Sequence, residues 1–108
     1  MNNESIIAKT VNAAGLIAYQ EGSVVSRTVI DKPQGTVTIF AFDKGQALSE
    51  HTAPYDAVVH VLDGEVEVTI SGKPSVVKPG EMIVMPANDP HALKALTPFK
   101  MMLIMVKA

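Results

Sequence analysis

Glu65-Val66-Glu67-Val68-Thr69-Ile70 is the stretch of sequence that decides the fold class. Its apolar residues recur at every second position, so they share one face of an extended chain while the polar side chains share the other. This period of two is typical of a β-strand that is buried on one side only. Residues 24–30 and 36–42 are rich in β-branched and aromatic residues and predict two more strands.

The connections between the predicted strands are rich in Gly, Pro, Asn and Asp. Asp63-Gly64 stands between residues 57–62 and residues 65–70 and predicts a hairpin there, because both positions of this dipeptide tolerate a positive φ. Similar turn residues divide the rest of the chain into short segments at residues 74–77, 81–85, 91–96 and 99–106. Many short strands at this spacing predict an all-β barrel or sandwich, and residues 13–19 predict either one helical turn or a covering strand.

Composition excludes several classes of protein. A chain of 108 residues with 47% hydrophobic and 19% charged residues is expected to fold as one domain. Its net charge of −2 and the lack of a basic stripe argue against a nucleic-acid partner, and its longest apolar run, residues 101–106, is far too short to span a membrane. Without cysteine there is no disulfide, thiolate nucleophile or Cys-based zinc site. The N-terminus lacks the pattern of a secretory signal, which predicts a cytoplasmic protein.

The spacing of residues 45–64 matches part of a known motif. Gly45, His51 and Gly64 keep the spacing of the first motif of the cupin superfamily, which the sequence therefore resembles. Ala53 stands where that motif has its second histidine, and Ala57 stands where it has a glutamate.

The second cupin motif is matched in the same partial way. Gly80, Pro86 and His91 keep its spacing, whereas Asn88 replaces a glycine and Ala95 replaces an asparagine. The resemblance implies an all-β fold, a single-domain conical β-barrel of the jelly-roll type (a double-stranded β-helix). Residues 23–108 would form the barrel, residues 1–22 an N-terminal segment packed on it, and the chain would form a homodimer.

In metal-binding cupins, the motif histidines and the glutamate hold one divalent ion. Of those ligands only His51 and His91 are present here, and the resemblance makes them candidate ligands for Zn, Fe, Mn, Ni or Cu. Imidazole suits such metals, but a catalytic zinc site normally has three protein ligands. The polar neighbours that could supply a third ligand are Glu50, Asp56, His60 and Asn88. Strand alternation turns Glu50 and His60 away, whereas Asp56 would reach the site if the loop of Pro54 and Tyr55 rotated it inward.

The two alanines change the character of the predicted cavity. With Ala53 and Ala57 in place of a histidine and a glutamate, the cavity is roomier and less polar, and suits a small, partly apolar ligand. The predicted lining consists of His51, His91, Ala53, Ala57, Val59 and Met85. The six methionines are predicted to fill gaps in the packing, with Met82 or Met85 facing the cavity.

Three functions follow as hypotheses. The first is a small cupin that binds a small molecule in the barrel, with or without a divalent metal. The second is a metal-dependent enzyme of the oxygenase or isomerase type, and the third is a non-catalytic structural dimer. Val58, His60 and Leu62 alternate with the inward residues of their strand, so the outer face is predicted to be covered by the N-terminal segment or by a partner subunit.

Overall fold

The structure is a computed structural model, and it describes residues 5–107. These residues contain nine β-strands and one short helix. The strands are β1 (Val24–Lys32), β2 (Gly35–Phe42), β3 (Ala47–His51), β4 (Asp56–Asp63), β5 (Val66–Ile70), β6 (Lys73–Val77), β7 (Met82–Met85), β8 (His91–Ala95) and β9 (Phe99–Val106). A five-stranded sheet has the order β1-β2-β9-β4-β7 and a four-stranded sheet the order β3-β8-β5-β6. All pairings are antiparallel, and the predicted all-β jelly roll is confirmed.

The core lies between the two sheets and follows the period of two seen in the sequence. Val59 and Val61 from β4 and Val66 and Val68 from β5 are fully buried. Burial of each of these side chains stabilises the fold by roughly 1.5–3 kcal/mol. The rings of Phe42 and Phe99, 4.7 Å apart between centroids, fill the same interior.

The hairpin predicted at Asp63-Gly64 is wrong. β4 belongs to the five-stranded sheet and β5 to the four-stranded sheet, so this turn carries the chain from one sheet to the other. A two-residue type I′ hairpin needs a positive φ at both positions. Gly64 has φ +70°, but Asp63 does not have a positive φ. The hairpin instead lies at Ser71-Gly72, where φ is +50° and +81° and β5 pairs with β6.

The sequence pattern did not predict β3, because the residues of this strand do not alternate between apolar and polar. β3 contains the polar residues Ser49 and Glu50 and pairs through β8 only, as the edge strand of its sheet. With Leu48 as its one half-buried residue, it offers no run of alternating apolar residues. Its place in the fold comes from pairing with β8.

The N-terminal segment contains the helical turn that was one of two alternatives for residues 13–19. A 3₁₀ helix spans Ala13–Leu16, and the side chain of Asn12 accepts a hydrogen bond from the Gly15 N–H. Lys100 Nζ in β9 donates to the carbonyl oxygen of Ala14 over 2.7 Å, so this turn contacts the five-stranded sheet. Residues 1–4 of the predicted segment and residue 108 of the predicted barrel lie outside the described residues, and the boundary at residue 22 stays a prediction. Within residues 5–107, no helix has the length and hydropathy that a membrane crossing requires.

Candidate functional site

The two histidines of the motifs lie side by side at one end of the four-stranded sheet. His51 ends β3, His91 begins β8, and the two are direct partners in the register of these strands. Their Nε2 atoms are 3.2 Å apart, and the ring planes meet at 71°. His91 is only 5% exposed, whereas His51 is exposed. The structure therefore brings together two imidazoles forty residues apart in the chain, one in the interior and one at the rim.

Backbone contacts decide the protonation pattern of the pair. The Nδ1 of His51 lies 2.8 Å from the carbonyl oxygen of Ser49, and the Nδ1 of His91 lies 3.2 Å from that of Asp89. A carbonyl oxygen only accepts hydrogen bonds, so each Nδ1 carries a hydrogen and donates it. In neutral imidazoles both Nε2 atoms then carry a lone pair, and the two atoms lie 3.2 Å apart. The two Nε2 atoms are therefore placed to accept a hydrogen bond from a shared donor or to bind one metal ion.

The loop before β8 holds His91 in this position. The Asn88 N–H donates to the carbonyl oxygen of Ala53 over 2.8 Å, and the Ala87 N–H donates to Asp56 Oδ1 over 2.8 Å. Asn88 has φ +70°, a conformation that Asn tolerates better than most residues, which explains why it can replace the glycine of the cupin motif. The Asp56 carboxylate thus fastens the loop, and it does not line the cavity beside the histidines.

The histidines close one end of an apolar cavity between the two sheets. Its volume is about 60 Å³. The lining residues are Leu48, His51, Ala53, Ala57, Met85, His91, Leu93, Met101, Leu103 and Met105. In the five-stranded sheet Ala57 is paired with Met85 on one side and with Met105 on the other, so two thioether side chains flank the small residue that stands where metal-binding cupins have a glutamate.

Five of the six residues predicted to line the cavity do so: His51, His91, Ala53, Ala57 and Met85. Val59 does not, because it is fully buried in the core one row further along β4. Sequence reasoning missed the contribution of β9. Met101, Leu103 and Met105 alternate along that strand and face inward, but an apolar run gives no sign of which face is inside.

The donor set does not fit the divalent-metal site that the resemblance implies. Two imidazoles bring their Nε2 atoms together, but residues 5–107 contain no group of three or more His, Cys, Asp or Glu side chains that could hold a metal. Asp56, the predicted third ligand, is engaged by Ala87. His60 points to the outer face, where its partners in the register are Met82 and Met102, and Glu50 is exposed.

Comparisons with known proteins agree with this architecture. The sequence profile of the Cupin domain matches residues 38–107. A structure of the conserved protein SPY1581, of unknown function, from Streptococcus pyogenes is 38% identical with a TM-score of 0.90, over 94% of this chain and 89% of that chain. A cupin 2 conserved barrel domain protein from Leptotrichia buccalis is 49% identical with a TM-score of 0.84, over 87% of this chain and 46% of that one, so this chain spans about half of that protein.

A third structure extends the similarity at lower identity. A cupin superfamily protein from Desulfitobacterium hafniense DCB-2 is 25% identical with a TM-score of 0.89, over 94% of this chain and 93% of that chain. No curated protein matches the sequence.

Proposed function

Since the chain belongs to the cupin family, we propose that it binds a small organic molecule inside the barrel, with the polar group of that molecule at His51 and His91. Cupins host many unrelated chemistries, so the fold does not identify the ligand, and the proposal depends on the site. The observation that carries it is a cavity whose walls are apolar except at one end, where two Nε2 atoms converge. A pocket of this kind fixes the orientation of a ligand by its single polar end.

The size and chemistry of the cavity limit the ligand class. A volume of 60 Å³ corresponds to roughly four to six water-sized positions, so a molecule of about that many non-hydrogen atoms fits. Both Nε2 atoms accept hydrogen bonds in the neutral pair, which favours a ligand that donates, such as a short-chain alcohol or a protonated short-chain acid. Ligands this small gain at most about 1.5 kcal/mol per atom, so the best Kd lies between about 40 μM for four atoms and about 0.3 μM for six.

A thermal-shift series tests this proposal. Straight-chain alcohols with three to five carbons and acids with two to four carbons are expected to raise the Tm, because a ligand at 100 times its Kd adds about 2.7 kcal/mol of stability. Ala57→Leu, which fills the cavity, and His51→Ala, which removes a polar contact from an exposed side chain, are both expected to abolish the shift. Ala47→Leu, on an exposed position of β3, is the matched control. A shift that survives in both site variants would contradict cavity binding.

The other two hypotheses receive less support from the site. A metal-dependent oxygenase or isomerase needs a donor set that the described residues do not assemble, so we propose no reaction. A purely structural dimer would have an interior filled by side chains, whereas this barrel contains a cavity. The cytoplasmic location stays a prediction.

We also propose that a second copy of the chain covers the outer face of the five-stranded sheet. One row of aliphatic residues crosses all five strands on this face: Ile30, Val37, Ile104, Val58 and Val84. Ile30 and Val84, at the ends of the row, are 48% and 50% exposed. The whole face is about 19 Å wide and about 26 Å long, or roughly 500 Å², and the N-terminal turn covers the part of it near Lys100. The aliphatic row therefore supplies only the apolar centre of a standard interface of about 800 Å² per partner. A two-fold axis places each row against its own copy.

The dimer proposal is tested by light scattering after size exclusion. Val84→Glu is expected to convert a dimer to a monomer, because each glutamate would be desolvated in the interface. Val76→Glu is the matched control, since Val76 is 48% exposed on the other sheet. Two results would show that this face is not the interface. One is a wild-type protein that is still monomeric at 100 times the protein concentration used for light scattering, and the other is a Val84→Glu variant that stays dimeric.

A further inference from the structure

We propose that the histidine end of the cavity is a copper(I) site formed by the imidazoles of His51 and His91 and the thioethers of Met85 and Met105. This inference goes beyond the proposed function and does not require an organic ligand. It starts from the disagreement between this chain's donor set and the divalent-metal site of its family.

A positive charge bound by both Nε2 atoms would stabilise the imidazole pair. Two backbone carbonyls hold the hydrogens on the Nδ1 atoms, which leaves a lone pair on each of two Nε2 atoms that lie 3.2 Å apart. In metal-bound histidines the ring nitrogen that does not bind the metal commonly donates to a carbonyl in this way. Two nitrogens that each lie about 2.0–2.1 Å from one metal in a tetrahedral site are roughly 3.3 Å apart, close to the distance observed here.

The remaining donors of the cavity are soft. Met85 and Met105 pair with Ala57 from its two neighbouring strands and line the same cavity as the histidines. They occupy the wall where a carboxylate would bind a hard divalent ion, and thioethers select copper(I) over such ions. The bound charge also favours copper(I), because the cost of desolvating an ion in an apolar cavity rises with its charge and every donor in this set is neutral.

A second row of similar composition provides the competing explanation and the control. On the outer face of the same sheet, His60 pairs with Met82 on β7 and with Met102 on β9. This row has one imidazole and not two, and Met82 is 65% exposed, so water competes for any metal bound there. The two rows allow the same substitution to be made on either face of one sheet.

The test is a competition for copper(I) with bicinchoninate under anaerobic, reducing conditions. The wild-type protein is expected to remove one equivalent of copper from the indicator. The double variant Met85→Leu with Met105→Leu keeps the side-chain volume and both histidines. Because it removes both sulfur ligands, it is expected to raise the Kd for copper(I) at least about tenfold. The matched control, Met82→Leu with Met102→Leu, is expected to bind within about twofold of wild type.

Other outcomes overturn the proposal. Copper lost from the control and retained by the cavity variant would place the metal on the outer row. Wild type that cannot compete with the indicator, or a copper complex whose X-ray absorption shows nitrogen and no sulfur neighbours, would also overturn it. The spectrum does not depend on any variant folding. Because the alcohol and acid series is scored by Tm without copper, failure of copper binding with an intact thermal shift refutes this inference and leaves the proposed function standing.

Discussion

Replacing Gly64 by alanine tests how the chain passes between the two sheets. Gly64 has φ +70°, and an added Cβ would lie 2.0 Å from the carbonyl oxygen of Pro98 and 2.8 Å from the Cα of Phe99. Gly72, in the hairpin between β5 and β6, has φ +81°, and a Cβ there meets nothing within 4 Å. The two glycines therefore share the same backbone strain on substitution and differ in the steric contact.

The expected magnitudes follow from this difference. A left-handed conformation costs an alanine about 1–2 kcal/mol, and this is the whole expected loss for Gly72→Ala. Gly64→Ala adds a contact with main-chain atoms that cannot rotate away, so the connection between β8 and β9 must shift. Overpacking of this kind costs roughly 1–3 kcal/mol more. The difference between the variants corresponds to a Tm gap of about 4–8 °C for each kcal/mol.

Urea unfolding of the wild type and both variants measures the effect. The midpoint is expected to fall much further for Gly64→Ala than for Gly72→Ala, with an unchanged m-value, because the surface exposed on unfolding stays the same. Equal losses in the two variants would refute the reasoning. They would mean that Gly64 lies in an open turn facing solvent, as in the hairpin that the sequence predicts, and not beneath Pro98.

Three further predictions concern stability. The Thr36 hydroxyl is buried without a hydrogen-bond partner, so Thr36→Val is expected to raise the free energy of unfolding by about 1 kcal/mol. The same change at the exposed Thr28 is expected to alter that free energy by no more than about 0.5 kcal/mol. A lower free energy of unfolding for Thr36→Val would show that the hydroxyl has a partner. Burial, and after it the hydrogen bond from the Tyr19 hydroxyl to Asp63, raises the pKa of Tyr19 in the folded protein. As the pH rises above 10, Tyr19 ionises in the unfolded chain before it does in the folded protein, so the free energy of unfolding of the wild type falls. The advantage of wild type over Tyr19→Phe in urea is therefore expected to shrink as pH rises past 10, and a constant gap would contradict this linkage. Asn88 has φ +70°, so Asn88→Gly is expected to change the free energy of unfolding by no more than about 0.5 kcal/mol and Asn88→Ala to lower it by roughly 1 kcal/mol. Equal melting temperatures for the two variants would argue against backbone strain at this position.

Local patterns predicted most strands because burial on one side leaves a period of two in the sequence. Eight segments from residues 24 to 106 match strands of the structure, and β4 illustrates why: Ala57, Val59 and Val61 are buried while the residues between them are not fully so. β3 was missed because an edge strand with one half-buried residue leaves no such pattern. The pairing of strands was less accessible, since Asp63-Gly64 and Ser71-Gly72 look alike in the sequence although one turn changes sheet and the other does not.

The candidate site shows the same division. Motif spacing singled out His51 and His91 and noted the alanines at positions 53 and 57, because spacing along the chain is a property of the sequence. The roles of Met105 and Asp56 came from contacts between distant segments: Met105 reaches the cavity through pairing of β9 with β4, and Asp56 binds the backbone of a loop thirty-one residues away.

Residue order along this chain was therefore sufficient to predict an all-β domain and the two imidazoles, since alternation and turn chemistry act over a few neighbouring residues. The approach of the two Nε2 atoms and the presence of Met85 and Met105 in the lining of the same cavity arise from the packing of two sheets. These features depend on which strand lies beside which, and that choice is made by the burial of the whole core and not by any local segment.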